Sequence, residues 1–243
     1  VSTAASIAQA MAEAMICCAF SQLVREGAPF VLGNFLSSMS LKSGAPTFGM
    51  PEPVLSNYVV GQMARRIGLP LRCGGSLTAS KIEDAQAAYE SADSMHSTML
   101  AGAHFVLHAA GWMEGGLCAS FEKFVIDCEL LQQFAYYQKP IGVSDEDLAV
   151  DAIRDVGPSG HFLGADHTQS RFKDAYYSPF LSDWRNFESW EQSGSIETPM
   201  RANRIYKEVL AEYVEPPMAS AIREELTEFV ERRKKEGGAP TDF

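Results

Sequence analysis

His108 directly follows the apolar run His104-Phe-Val-Leu107, which reads as a strand, so an imidazole sits where a strand ends. Near neutral pH such a group can move a proton or hold the polar end of a ligand. Strand alternation puts Phe105 and Leu107 on one face and His104, Val106 and His108 on the other, with His104 at the opposite rim in a structural position. Glu114 stands between Trp112 and the pair Gly115-Gly116. It is either a carboxylate that holds an amine or orients a polar ligand, or an ordinary loop residue. Lys81 closes the polar stretch Gly74-Gly-Ser-Leu-Thr-Ala-Ser, where its ammonium either faces a carboxylate or is solvated at a helix start. Asp84, Gln86 and Glu90 follow in the first turns of that helix, where its dipole favours carboxylates in any case.

Other chemistries fit less well. Cys73, His104, His108 and Cys118 match no familiar zinc spacing, and a cysteine on an apolar strand is more often a small core residue, so no metal is expected. No Ser or Cys sits in a nucleophile elbow. Gly74-Gly-Ser-Leu lacks the Gly-Lys-Ser/Thr of a phosphate-binding loop. A net charge of -11 disfavours nucleic acid, and the basic run Arg232-Arg-Lys-Lys235 reads as a solvated helix end stabilised against its dipole. Five cysteines without paired CxxC spacing read as reduced thiols. The apolar stretches are interrupted well before about 18 residues, which predicts a cytoplasmic protein with no membrane partner.

The elements that must position these groups are legible as punctuation. A helix over residues 3 to 25 stops at Gly27 and is followed by the strand Phe30-Val-Leu32. A helix near 52 to 67 ends at Gly68 and leads to Leu71-Arg-Cys73. Another near 82 to 101 ends at Gly102 and leads to His104-Phe-Val-Leu107, and a fourth spans about 121 to 138. Strands about 34 to 41 residues apart, each joined by one helix, predict parallel pairing. By periodicity alone this is an open doubly wound sheet. After Pro140 the pattern turns to helices without strands: 145 to 156, an aromatic-rich segment from Tyr176 to Trp190, a helix from about Pro199, a break at Pro216-Pro217, and a last helix over 218 to 236. Disorder is expected from Gly237 onward.

Three stretches carry a resemblance. They are Gly75-Ser-Leu-Thr-Ala-Ser-Lys81-Ile-Glu-Asp84-Ala-Gln86-Ala-Ala-Tyr89-Glu90, Trp112-Met-Glu114-Gly-Gly116, and Gly160-His161-Phe-Leu-Gly164-Ala-Asp-His167-Thr168. Over most of residues 2 to 195 the chain resembles the C-terminal half of the trimethylamine methyltransferase (MttB-like) family, whose members are (β/α)8 barrels. The resemblance implies an α/β fold in which residues 1 to 140 form the C-terminal half of a TIM barrel, with three parallel strands, and residues 141 to 243 a helical C-terminal extension. The chain opens at Val1 without a Met, at the edge of an element, which fits a truncated chain. Barrel chemistry lies on the loops after strand C-termini. That rule selects Gly33-Asn34-Phe35 through Pro51, Gly74 to Lys81, and His108 to Gly116.

The resemblance further implies methyl transfer from a small methylated amine to Co(I) of a corrinoid (cobalamin) carried by a partner protein, with no cofactor bound by this chain. Members acting on trimethylamine contain pyrrolysine, and none is recorded here. A quaternary ammonium already carries the charge that lets its amine leave neutral, so a quaternary substrate such as glycine betaine is expected, with trimethylamine as the alternative. Such a cation asks for aromatic faces. His108 and Glu114 are then the catalytic candidates and Asn34, Phe35, Lys81 and Trp112 the substrate-binding ones, with Phe48 a weaker aromatic and His108 or Lys81 facing a substrate carboxylate. His161 and His167 either contact the corrinoid protein or stabilise the extension. Half a barrel exposes sheet edges, so association with the missing half or with a second copy is expected, and a fragment alone is expected to be inactive. Competing readings are a non-catalytic fragment that binds the corrinoid protein or another subunit, and an open-sheet enzyme with a phosphate ligand.

Overall fold

In the computed structural model the described residues are 2 to 237; apart from Gly237 itself, the expectation of disorder at the C-terminus falls outside them. Helix α1 (Thr3–Val24) starts on Ser2, whose side chain accepts from the Ala5 N–H. After it come strand β1 (Leu32–Gly33), the short pair β2 (Ser38–Met39) and β3 (Pro46–Thr47), helix α2 (Pro51–Ile67), strand β4 (Leu71–Gly74), helix α3 (Ala85–Leu100) and strand β5 (Phe105–Leu107). A second short pair, β6 (Trp112–Met113) and β7 (Cys118–Ala119), precedes helix α4 (Phe121–Tyr137).

Strands β1, β4 and β5 form one sheet in that order, and both pairings are parallel. This confirms the three-stranded parallel arrangement, a partial sheet compatible with part of a barrel. Register sets the faces: Leu32 lies opposite Leu71, and Cys73 opposite Val106. Leu32, Leu71 and Cys73 join Val60, Ala64 and Ala101 in a core, against which Ile7, Met11 and Met15 of α1 pack. Helices therefore cover one face. The residues between point to the other, here called the inner face: Gly33, Arg72 and Phe105 lie in one row, Gly74 and Leu107 in the next. Phe105 is 54% and Leu107 38% exposed there.

Helix boundaries fall close to expectation, but α3 begins at Ala85 because Asp84 is its cap, accepting from the Ala87 N–H at 2.9 Å. The helical stretch over 145 to 156 is two pieces, α5 (Asp145–Leu148) and α6 (Val150–Val156), split by Ala149 in the left-handed region. Helices α7 (Asp166–Arg171), α8 (Phe187–Gln192), α9 (Thr198–Ala211) and α10 (Ser220–Lys235) complete the chain. Residues through Tyr206 form one compact unit and those from Lys207 another. Within the first, Val125 of α4, Leu181 and Ala202 of α9 make a second small core. Buried Glu129 of α4 accepts from the Tyr177 hydroxyl and from the N–H groups of Phe180 and Leu181, each at 3.0 Å, which fastens the aromatic-rich segment.

One helix bears on the expectation that the apolar stretches fall short of a membrane span. Helix α1 is long and apolar enough, by length and composition, to cross a membrane, because alanines and cysteines fill most positions between its larger side chains and Glu13 is its one charged residue. In this structure one of its faces packs on the sheet core, while Ile16, Phe20, Leu23 and Val24 are exposed.

Candidate functional site

The three strands end on one rim, and the residue that leaves each strand decides which way the next side chain turns. Past β1, the Asn34 N–H still donates to the Arg72 carbonyl at 2.8 Å, so Asn34 and Phe35 continue the extended run. Asn34 is buried: its amide donates to Asn57 Oδ1 at 2.7 Å, and Asn57 in turn reaches Ser97 Oγ at 2.8 Å. Phe35 points to the inner face, where a Cβ on Gly74 would come within 3.0 Å of its ring.

At the end of β5, His108 adopts φ 56°, in the left-handed region. That turn ends the strand alternation, so His108 does not share the face of Val106 as the pattern predicts. Its ring instead stands between Phe35, at 5.3 Å between centroids, and Trp112, at 5.2 Å. Phe48 from the first loop stands 5.5 Å from Phe35. Four rings from two loops thus gather at the rim. Arg72, on the inner face of β4, holds its guanidinium 5.1 Å from the centre of the Phe35 ring. Buried Arg72 Nε and His108 Nδ1 have no hydrogen-bond partner. With one face of Phe35 taken by Arg72, Trp112 is the aromatic better placed for a cation, and Arg72 the cation better placed for an anion.

The second loop supports this group. A Cβ on Gly75 would lie 2.5 Å from Ala109 Cα and 2.9 Å from the His108 carbonyl, so only glycine lets the second loop run against the third here. Glu90, buried in α3, accepts from Thr78 Oγ1 at 2.6 Å, the Ala79 N–H at 2.7 Å and Gln86 Nε2 at 2.9 Å. The third loop rests on the second through Glu114 N–H to Ser80 O, 3.0 Å, and Gly115 N–H to Thr78 O, 2.8 Å. Hydrogen bonds from the Ala87 N–H and the Ser80 hydroxyl hold the Asp84 carboxyl below its usual range.

The other sequence candidates are not brought to the rings. Lys81 is exposed and its Nζ donates to the Ala79 carbonyl at 2.8 Å, within its own loop, so it faces no carboxylate. Glu114 is exposed, with φ 51°, at the start of a single 3-10 turn. His161 is exposed, and His167 Nε2 lies 3.1 Å from the Glu146 carbonyl, a contact between α7 and α5. His104 accepts from the Leu71 N–H through Nδ1 at 3.2 Å. Cys73 lies in the core, where burial pushes its thiol up to about 11. Among the described residues no group of three or more His, Cys, Asp and Glu side chains is disposed to hold a metal ion.

Arg72 and a buried ion pair between Lys123 and Asp127 were not singled out by residue type and spacing, and Glu90 was read only as a carboxylate favoured by its helix dipole. An arginine inside a strand expected to be buried on both faces was the available signal for the first. The other two sit on helices where charges normally face water. The space enclosed among Asn34, Phe35, Phe48 and Gly75, on the Phe35 side of the cluster, is only about 20 Å³. A larger cleft, about 730 Å³, is lined by residues such as Glu83, Asp183, Arg185, Trp190 and Arg201 and shares none with the ring cluster.

Comparison with known proteins identifies the family of the chain. The family model described as trimethylamine methyltransferase (MTTB) matches residues 1 to 238. A glycine betaine methyltransferase of Desulfitobacterium hafniense (strain Y51) is 35% identical over 98% of this chain and 49% of its own length. The trimethylamine methyltransferase MttB of Desulfitobacterium hafniense (strain DSM 10664 / DCB-2) is 32% identical over 90% of this chain and 44% of its own. MttB2 of Methanosarcina mazei is 32% identical over 87% and 42%. The chain spans about half the length of these curated relatives. It belongs to the trimethylamine methyltransferase (MTTB) family.

Proposed function

We propose that the protein containing this chain moves a methyl group from a quaternary ammonium that also bears a carboxylate, such as glycine betaine, to Co(I) of a corrinoid held by a separate protein in the cytoplasm. The observation that carries this reading is the rim cluster: Trp112 and His108 edge to face, with the Arg72 guanidinium over the Phe35 ring. A quaternary ammonium has no N–H to donate, so an aromatic face is its natural partner, worth about 0.5 to 2 kcal/mol. A carboxylate is the natural partner of an arginine whose buried Nε is otherwise unsatisfied. Together they orient the substrate with its ammonium at the rim, and the similarity to a glycine betaine methyltransferase supports the same class.

In the transfer the C–N bond breaks as the methyl carbon is attacked in line by Co(I), and the amine departs neutral with the bonding pair. No proton is needed at that nitrogen. The task left to the protein is orientation and exclusion of water, which fits a wall of rings better than a general acid. The position of His108 beside Phe35 and Trp112 supports a role on the substrate side. The apolar inner face, with Val31, Phe105 and Leu107 exposed, supports a further layer over it, supplied by the rest of a longer protein or by a second copy. Isothermal titration of the full-length protein tests the reading: glycine betaine is expected to bind and trimethylamine not, and binding of trimethylamine alone would overturn it.

A further inference from the structure

We infer that the buried pair Lys123–Asp127 is a positioning device that sets the distance between the two glycine loops and so the placement of Trp112 and His108, an inference that rests on the substrate reading above. Both side chains are 1% exposed, one turn apart on α4, and joined at 2.5 Å. Each also reaches a loop. Lys123 Nζ donates to the Ser76 carbonyl, 3.2 Å away in the second loop, and Asp127 Oδ2 accepts from the Gly111 N–H at 2.8 Å in the third. Gly111 has φ 85°, and a Cβ there would lie 3.2 Å from that of Phe124, so this backbone is held against α4 from both sides; its carbonyl accepts from the Ser120 N–H at 3.0 Å. Trp112 is the next residue. Gly75, beside Ser76, runs against the backbone of His108 and Ala109. One ion pair thus fixes the neighbours of both rings.

Burial works against both charges, drawing the Lys123 ammonium down and the Asp127 carboxyl up, while each partner pulls the other back. A buried pair replaced whole by apolar residues of similar size is commonly neutral or stabilising. The pair is therefore a costly way to fill space, and its two loop contacts give it a use that apolar packing cannot supply.

The test is made in the full-length protein, with every other tryptophan, Trp184 and Trp190 among them, changed to Phe so that emission reports on Trp112. The apolar variant Lys123→Met/Asp127→Leu removes both loop contacts. The neutral variant Lys123→Gln/Asp127→Asn keeps a donor for the Ser76 carbonyl and an acceptor for the Gly111 N–H. The first is expected to shift Trp112 emission and to weaken glycine betaine binding at least about tenfold, and the second to recover most of both. Unchanged emission and affinity in the apolar variant, or equal losses in both, would overturn the inference. If the apolar variant does not fold, the neutral one decides: Trp112 emission close to that of the parent supports the inference, and a loss of ordered emission sinks it. A parent that binds no quaternary ammonium would defeat the substrate reading, and the emission comparison would then settle the positioning role on its own.

Discussion

His108 stands edge-on to Trp112, their ring centroids 5.2 Å apart and their planes at 77°. The two residues are four apart in sequence and meet because His108 leaves its strand in the left-handed region, which turns the imidazole toward the rim. Histidine is among the side chains that tolerate that conformation, whereas alanine gives up about 1 to 2 kcal/mol in it. Asparagine is thus the fair replacement.

His108→Asn in the full-length protein is expected to lower methyl transfer at least about tenfold, equivalent to about 1.4 kcal/mol of transition-state stabilisation. Its melting temperature should stay within about 3 °C of the parent's. Unchanged specific activity with a large fall in melting temperature would show a packing histidine instead.

Replacing Trp112 separates a cation-binding ring from a packing one. Trp112→Leu should weaken a quaternary ammonium by about 5- to 30-fold, the span of a desolvated cation–π contact of about 1 to 2 kcal/mol, and Trp112→Phe should retain part of the binding. Equal affinity for all three in titration calorimetry would remove the aromatic from the account.

Gly75→Ala places a methyl 2.5 Å from Ala109 Cα, and backbone cannot yield as a flexible side chain does. A loss of about 1 to 3 kcal/mol in denaturant unfolding is expected, with activity falling further than stability because the strain falls on His108. Wild-type stability in this variant would mean that the loops are not held together here.

Acid should weaken the fold through Asp84 and Asp147, whose carboxyls are held below their ordinary 3.8 by backbone and side-chain hydrogen bonds. Below that value the unfolded chain binds protons that the folded one does not. The stabilisation is therefore complete above about pH 4 and is lost as pH falls through the folded values. Melting curves at pH 3 and pH 6 should differ, and the Asp84→Asn/Asp147→Asn variant should show a smaller difference. Identical pH dependence in parent and variant would contradict this.

Strands and helices were legible because Gly27, Gly68 and Gly102 punctuate apolar runs at crossover spacing. The short pairs β2–β3 and β6–β7 were not, since two-residue ladders carry no periodicity. In the site, His108, Phe35 and Trp112 were reachable from their place after strands. For Lys81 the sequence shows a loop cation but not that its ammonium turns back on the Ala79 carbonyl. Lys123 and Asp127 drew no notice in the sequence, since an i,i+4 pair of opposite charges on a helix is ordinarily solvated. Only the packing of two loops over α4 buries them.

The most direct measurement supplies Co(I) on a cognate corrinoid protein and follows the corrinoid spectrum as each amine is added to the full-length enzyme. Glycine betaine or another carboxylate-bearing quaternary ammonium is expected to drive methylation of cobalt, with trimethylamine leaving the spectrum unchanged. Methylation by trimethylamine and by no quaternary amine would contradict the account.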